Sequence, residues 1–141
     1  MNEMSFSTVS VNVQKQTIWD VLLDRIVHPE RYLIGVLESS IIKKSSDVII
    51  RRMRTTLGEV IEQITIDVTN WIITSQFVQH PLFTGTTVNR ILPTQSTPFS
   101  VVTFGRAWKP KDPAFTIQPP VAGAKEELLY TKKIAERFSA R

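Results

Sequence analysis

The most informative part of the sequence runs from residue 41 to residue 78 and reads IIKKSSDVIIRRMRTTLGEVIEQITIDVTNWIITSQFV. Apolar runs of strand length alternate in it with turn signals at Ser45-Ser46-Asp47, Gly58 and Asn70. Runs rich in β-branched residues and bounded by turn residues are typical of β-strands. Because the connections are short, neighbouring strands should pair antiparallel. We therefore predict four consecutive antiparallel strands, at residues 41–44, 48–54, 60–68 and 71–78.

Strand patterns also occur on both sides of this stretch. Residues 5–13 alternate, with Val9, Val11 and Val13 on one side, which is typical of a strand with one buried face. Two further strands are predicted after residue 78, at residues 86–92 and 99–108. The sequence therefore predicts a sheet of about seven strands.

Helical patterns occur only near the two ends. Ile18, Leu22 and Ile26 recur every four residues and predict a helix over 15–27, for which Thr17 and Asp20 fit a capping box and Asn12 is a competing N-cap. His28-Pro29 ends this helix, and a second short helical turn follows over 30–34. After a proline-rich loop over 109–123, an amphipathic helix is predicted from about residue 124 to residue 140.

This order of elements indicates the fold class. We predict a single α+β domain spanning residues 1–141, in which a curved antiparallel sheet wraps around a long C-terminal helix, with two short helices after the first strand. A bent sheet that closes on one helix leaves a hollow between them. We expect any ligand to bind there.

Composition excludes several classes of site. The absence of cysteine excludes a disulfide framework, a cysteine zinc site and a thiol nucleophile. No secretory signal or membrane-length apolar run is present, so we expect a cytoplasmic protein. The net charge is +4 and the pI about 9.6, but the basic residues are dispersed among acidic ones, which does not favour nucleic-acid binding.

The chain resembles a known family. The order of elements and several local stretches are similar to the START-like superfamily (SRPBCC, or polyketide-cyclase-like), whose members have the helix-grip fold, and most of all to its AtaL-like branch. The resemblance covers nearly the whole chain, and no single motif is specific. The matching stretches are Ile18-Trp19-Asp20-Val21-Leu22-Leu23, Ile50-Arg51-Arg52, Val60-Ile61-Glu62-Gln63-Ile64 and Gly85-Thr86-Thr87-Val88-Asn89.

Glu62 is the candidate catalytic residue. It shares strand parity with Val60 and Ile64, so it should face the covered side of the sheet, where a carboxylate needs a partner or water. Arg52, on the preceding strand, is the expected partner if Ile50 faces inward, and Arg51 fits if the opposite parity holds. Alternatively, strand curvature turns Glu62 outward, or it merely pairs with an arginine.

The remaining candidate residues are expected to line the hollow. Residues 99–108 offer two parities: either Phe104, Arg106 and Trp108 face inward, or Val101, Thr103 and Gly105 do. The residues predicted to bind a ligand are Arg52, Glu62, Trp71, Phe77, Asn89, Phe104, Trp108 and Leu128.

Other chemistry finds little support in the sequence. His28 and His80 are too few to build a metal site without carboxylates, so we expect no metal and no cofactor. His80 could lie at the cavity rim and move protons there, although a loop histidine without such a role is the more common case. There is no glycine-rich phosphate loop and no Gly-x-Ser-x-Gly elbow.

Three functions remain open. The first, favoured by the resemblance because START-like proteins commonly bind lipids, hormones or polyketides, is binding of a small hydrophobic ligand, with Glu62 and an arginine at its polar end. The second is a cyclase-, aromatase- or hydrolase-like enzyme with Glu62 as base and Arg52 as electrophilic stabiliser. The third and weakest is single-stranded nucleic-acid binding. A homodimer is possible.

Overall fold

The computed structural model describes residues 5–93, 100–106, 109–112 and 121–139. The predicted elements within these ranges are present, and two very short strands, β6 and β9, are additional. In chain order the elements are β1 (Ser5–Val11), α1 (Lys15–Val27), a 3₁₀ turn (Pro29–Arg31), β2 (Val36–Lys44), β3 (Val48–Thr55), β4 (Gly58–Asp67), β5 (Ile72–Gln79), β6 (Phe83–Thr84), β7 (Thr86–Pro93), β8 (Ser100–Arg106), β9 (Lys109–Pro110) and α2 (Val121–Ser139).

The strands form one seven-stranded sheet in the order β1-β8-β7-β5-β4-β3-β2, and β6 pairs with β9 outside it. Every pairing is antiparallel, as the short connections predict. The fold class is therefore confirmed: an α+β protein with an antiparallel sheet, a helix after the first strand and a long C-terminal helix.

The core lies between the sheet and the two helices. The α1 residues Ile18, Leu22 and Ile26 are buried together with Leu128 and Ala135 of α2. α2 packs against α1 and β1 and also contacts β8. Burying such apolar side chains contributes roughly 1.5–3 kcal/mol each.

The ends of α1 differ in part from the prediction. The capping box of Thr17 and Asp20 is wrong, because the helix begins after Gln14, whose carbonyl accepts from the N–H groups of Thr17 and Ile18. The predicted end at His28-Pro29 is correct. Among the described helices, none is long and apolar enough to span a bilayer.

A partly buried hydrogen bond holds the turn after α1. The Tyr32 hydroxyl donates to Asp24 Oδ2 at 2.6 Å, and Tyr32 is only 2% exposed. Burial, and then the bond to Asp24, raise the pKa of Tyr32 far above its ordinary value. This bond fixes the direction in which the chain enters β2.

β2 is one edge of the sheet, and its register against β3 is interrupted twice. The shifts fall between Val36 and Glu38 and between Ile41 and Lys43. Leu37 and Ile42 have no opposite residue on β3 in this register, and they are 54% and 51% exposed. Such β-bulges bend an edge strand and increase its twist.

Candidate functional site

Strand parity decides which side chains of β3 and β4 face the interior. Ile49, Arg51 and Met53 of β3 are buried, and so are Val60, Glu62 and Ile64 of β4. Arg51 lies directly opposite Glu62 in the pairing of these strands. Glu62 thus occupies the covered face, as its parity with Val60 and Ile64 indicates.

Arg51 and Glu62 form a buried ion pair. Arg51 Nη2 donates to Glu62 Oε1 at 2.7 Å, and the two side chains are 6% and 8% exposed. Arg51 Nη1 donates to the carbonyl oxygens of Arg25 (3.2 Å) and Ile26 (3.0 Å), in the last turn of α1. That end of a helix carries partial negative charge, which suits a guanidinium. The pair therefore joins the sheet to α1.

Both oxygens of the Glu62 carboxylate are engaged. Oε1 accepts from Arg51, and Oε2 accepts a hydrogen bond from the Ser75 hydroxyl on β5. A carboxylate bound in this way is satisfied in the interior. To take a proton from a ligand, Glu62 must either keep both of these hydrogen bonds or break one of them.

The predicted partnership of Arg52 with Glu62 is wrong. Arg52 lies on the outer face of β3, where its side chain is 53% exposed and its Nε lies 3.7 Å from Glu59 Oε1. The physical reason is the alternation of a β-strand, which places successive side chains on opposite faces. The alternative parity, with Arg51 inward, is the correct one.

Arg51 and Glu62 line a cavity of about 280 Å³ between the concave face of the sheet, the end of α1 and α2. This volume is near the lower end of the range for small-molecule sites. One part of the wall is apolar and includes Leu33, Val36, Met53, Val60 and Phe77. The polar part includes Arg51, Glu62, Ser75, His80, Thr87 and Asn89.

The mouth of the cavity is mostly apolar, although it includes the exposed Thr56, and the inner end is polar. Ile34 and Leu57 belong to the lining and are 60% and 56% exposed, so they mark the opening. Along β3 from the Leu57 turn, the lining changes from Thr55 to Met53 and then to Arg51, which is deeply buried. A ligand entering here would meet mostly apolar groups first and charged groups last.

Charges in the described lining cancel. Arg25 and Arg51 carry two positive charges, and Glu62 and Glu127 carry two negative ones. Arg25 is buried and its Nη1 donates to Thr131 Oγ1 of α2 at 3.2 Å. Within the described ranges, no three histidine or carboxylate side chains are grouped closely enough to hold a metal ion.

His80 is a buried cavity residue whose ring orientation is fixed. Its Nδ1 accepts the backbone N–H groups of Leu82 (3.0 Å) and Phe83 (3.1 Å). The imidazole packs on the Phe77 ring, with centroids 4.5 Å apart. Because Nδ1 serves as an acceptor, the proton of the neutral ring belongs on Nε2.

The surroundings also disfavour the protonated form of the His80 ring. Burial and, to a smaller extent, Lys111 lower the pKa of His80 below 6.5, although the charge of Glu62 acts in the opposite direction. From the sequence, His80 was either a residue at the cavity rim or a loop histidine without such a role. Its role as an acceptor for the turn was not predicted.

Two buried polar atoms of the lining lack a hydrogen-bond partner in the described part of the chain: Asn89 Oδ1 and Arg51 Nε. Asn89 is 3% exposed and lies on β7, opposite Ile73 of β5. Most buried polar atoms in proteins are hydrogen-bonded, so each exception requires an explanation. Together with Phe77 and Glu62, Asn89 is a predicted ligand-binding residue that lines the cavity.

Other predicted residues lie elsewhere. Trp71 is in the turn before β5 with a φ of 57°, and its ring packs edge-on against Trp19 at 5.4 Å, away from the cavity. Leu128 is wholly buried in the core, and its neighbour Glu127 lines the cavity instead. Phe104 lies opposite Asn89 in the register, but its side chain and the whole of Trp108 are outside the described residues.

Several lining residues were not predicted from the sequence. Ser75 shares parity with Phe77, and Thr87 shares parity with Asn89, so strand alternation could have identified both. Arg25 sits three residues after Leu22 on the buried face of α1, a signal that its charge obscured.

The chain is similar to known proteins in its fold alone. No protein-family model matches the chain, and no curated protein is similar to it. An aromatase/cyclase from Streptomyces sp. R1128 has a similar structure (TM-score 0.70, 11% identity, covering 99% of this chain and 91% of that one).

Two further solved structures have the same fold. One is an uncharacterised protein from Bacillus thuringiensis (TM-score 0.72, 12% identity, covering 95% of this chain and 99% of that one). The other is a protein from Thermus thermophilus (TM-score 0.75, 10% identity, covering 97% of this chain and 99% of that one). The chain therefore shares the fold of these three proteins, which is consistent with the predicted helix-grip architecture.

Proposed function

We propose that the protein binds a small, largely apolar molecule in the cavity, with the polar end of the molecule near Arg51, Glu62 and Asn89. The observation that carries this proposal is the 280 Å³ cavity, mostly apolar at its mouth and polar at its inner end. Sites of this composition commonly hold small organic ligands, because the apolar wall supplies affinity and a few polar groups fix orientation. As part of the same proposal, we assign the protein to the AtaL-like branch that its sequence resembles.

Filling the cavity tests the proposal. Val60 is 3% exposed and lines the cavity, so Val60→Phe places a ring inside it, whereas Gln63→Phe adds a ring on the exposed face of the same strand. We expect Val60→Phe to weaken binding of 2-naphthol by about tenfold or more in calorimetric titration, and Gln63→Phe to leave it unchanged. Native mass spectrometry of the purified protein would identify a co-purified ligand. Equal binding by both variants would contradict the proposal.

A second candidate is an enzyme of the cyclase, aromatase or hydrolase type. It is supported by the presence of Glu62, Ser75 and His80 in one cavity, since such groups serve in proton transfer. The test measures aldol cyclisation of a poly-β-keto ester and hydrolysis of 2-naphthyl acetate. An enzyme would accelerate one of them and lose the effect in Glu62→Gln while retaining affinity for 2-naphthol. No acceleration by the parent protein would leave binding as the function.

A further inference from the structure

We propose that the cavity selects neutral ligands that carry a hydroxyl group, and that Asn89 Oδ1 is the acceptor for that hydroxyl. This inference rests on the proposed function and adds the chemical class of the ligand. It starts from the two buried polar atoms that lack partners in the described ranges, one an acceptor on Asn89 and the other a donor on Arg51. A ligand with an O–H donor and an oxygen acceptor complements both.

The position of Asn89 favours this assignment. The inward-facing polar residues form a series: Arg51 on β3 pairs with Glu62 on β4, and Ser75 on β5 pairs with Thr87 on β7, with Asn89 two residues further along β7. The Glu62 carboxylate accepts hydrogen bonds from both the Ser75 hydroxyl and Arg51. The acceptor of Asn89 is not used in this way, and rotation about its soft χ2 torsion can direct Oδ1 to a ligand.

The charges of the cavity lining favour a neutral ligand. The guanidinium of Arg51 is already paired with Glu62, and the two arginines of the described lining are balanced by two glutamates. His80 adds no charge, because its Nδ1 accepts two backbone N–H groups. A ligand carboxylate would have to lose its hydration without gaining an uncompensated cation, which is unfavourable in an interior.

Three probes with the same two fused rings test the proposal: 2-naphthol, 2-methylnaphthalene and 2-naphthoate. The methyl group replaces the hydroxyl at similar size, and the carboxylate replaces it with a negative charge. Affinities are measured by calorimetric titration of the wild type, Asn89→Leu and the control Gln63→Leu. Gln63 is exposed on the outer face of β4, so this control makes a similar amide-to-leucine change away from the cavity.

In the wild type we expect 2-naphthol to bind about tenfold tighter than 2-naphthoate. The ratio of the Kd of 2-methylnaphthalene to that of 2-naphthol should fall by about tenfold in Asn89→Leu and stay constant in Gln63→Leu. Comparing ratios between variants cancels the cost of dehydrating each probe. Thermal unfolding shows whether Asn89→Leu is folded, and Asn89→Ala replaces it if its Tm falls strongly.

The outcomes separate this inference from the function on which it rests. If the probes bind but the ratio is unchanged in the Asn89 variants, or if 2-naphthoate binds most tightly, the inference is wrong and the proposed function stands. If none of the three probes binds the wild type, both are overturned.

Discussion

Arg51 lies directly opposite Glu62 across β3 and β4, Nη2 of the arginine is 2.7 Å from Oε1 of the glutamate, and both side chains are buried. The next residue, Arg52, has the same side chain but lies on the exposed face. The chain therefore contains a buried arginine and a matched control beside it.

Removing the Arg51 guanidinium should strongly destabilise the protein. In Arg51→Met the Glu62 carboxylate stays buried without its ionic partner, so we expect the free energy of unfolding to fall by about 3 kcal/mol or more in urea titration. Arg52→Met should change it by less than about 1 kcal/mol, because exposed ion pairs contribute little. The double variant Arg51→Met/Glu62→Leu should recover part of the loss. A similar effect of Arg51→Met and Arg52→Met would contradict a buried pair.

His80 should make stability depend on pH. Its pKa in the folded protein is lowered, so the unfolded chain binds the proton more readily and stability decreases as the pH falls below about 6.5. His80→Asn removes the titration, while the asparagine oxygen can accept from the N–H groups of residues 82 and 83 in an Asx turn. From about pH 7.5 to about 5.5 the Tm of the wild type should decrease more than that of the variant. Parallel pH profiles would show that His80 does not titrate in this way.

Tyr32→Phe should remove a hydrogen bond to a carboxylate. We expect a loss of about 1–2 kcal/mol in the free energy of unfolding near neutral pH, whereas Tyr130→Phe, at an exposed position, should have little effect. Because the pKa of Tyr32 is raised in the folded state, its contribution is complete below about pH 10 and is lost as the pH rises further. The alkaline loss of stability should therefore be smaller in Tyr32→Phe, and an equal loss in both proteins would contradict the assignment.

Gly58→Ala should disturb the contact between the β3–β4 turn and the loop that carries His80. Gly58 has a φ of +130°, and a Cβ at this position would lie 2.8 Å from Pro81 Cγ. We expect a loss of about 1–3 kcal/mol in urea unfolding, from backbone strain and the clash together. Adding Pro81→Ala removes the clash but not the strain, so it should recover only part of the loss. Unchanged stability in Gly58→Ala would mean that the turn can adjust freely.

The order and type of the elements could be predicted because they depend on local patterns. Hydrophobic periodicity identifies the helix over 15–27, and short turns between β-branched runs require antiparallel pairing. The parity of β3 stayed undecided between Arg52 and Arg51 although a signal was present: Met53 follows the parity of Arg51, whereas that of Arg52 continues to the charged Arg54. Counting charges on both faces would have favoured Arg51 as the inward residue.

The site could be predicted less well, because its geometry depends on distant contacts. The acceptor role of His80 Nδ1 arises from the path of the turn that follows it. Whether Leu128 or Glu127 meets the cavity depends on a rotation of α2 by one residue, which the pattern of apolar positions does not fix. Trp71 looked like a strand residue, but the turn after Asn70 extends through it.

The interrupted edge strand β2 has a consequence for self-association. An even edge is a template on which another chain can extend the sheet, but two bulges and the terminal lysines Lys43 and Lys44 make this edge uneven and cationic. The exposed Leu37 and Ile42 thus belong to a strand that is poorly suited to fibril growth. A homodimer, which the sequence leaves open, should use side-chain packing on another surface.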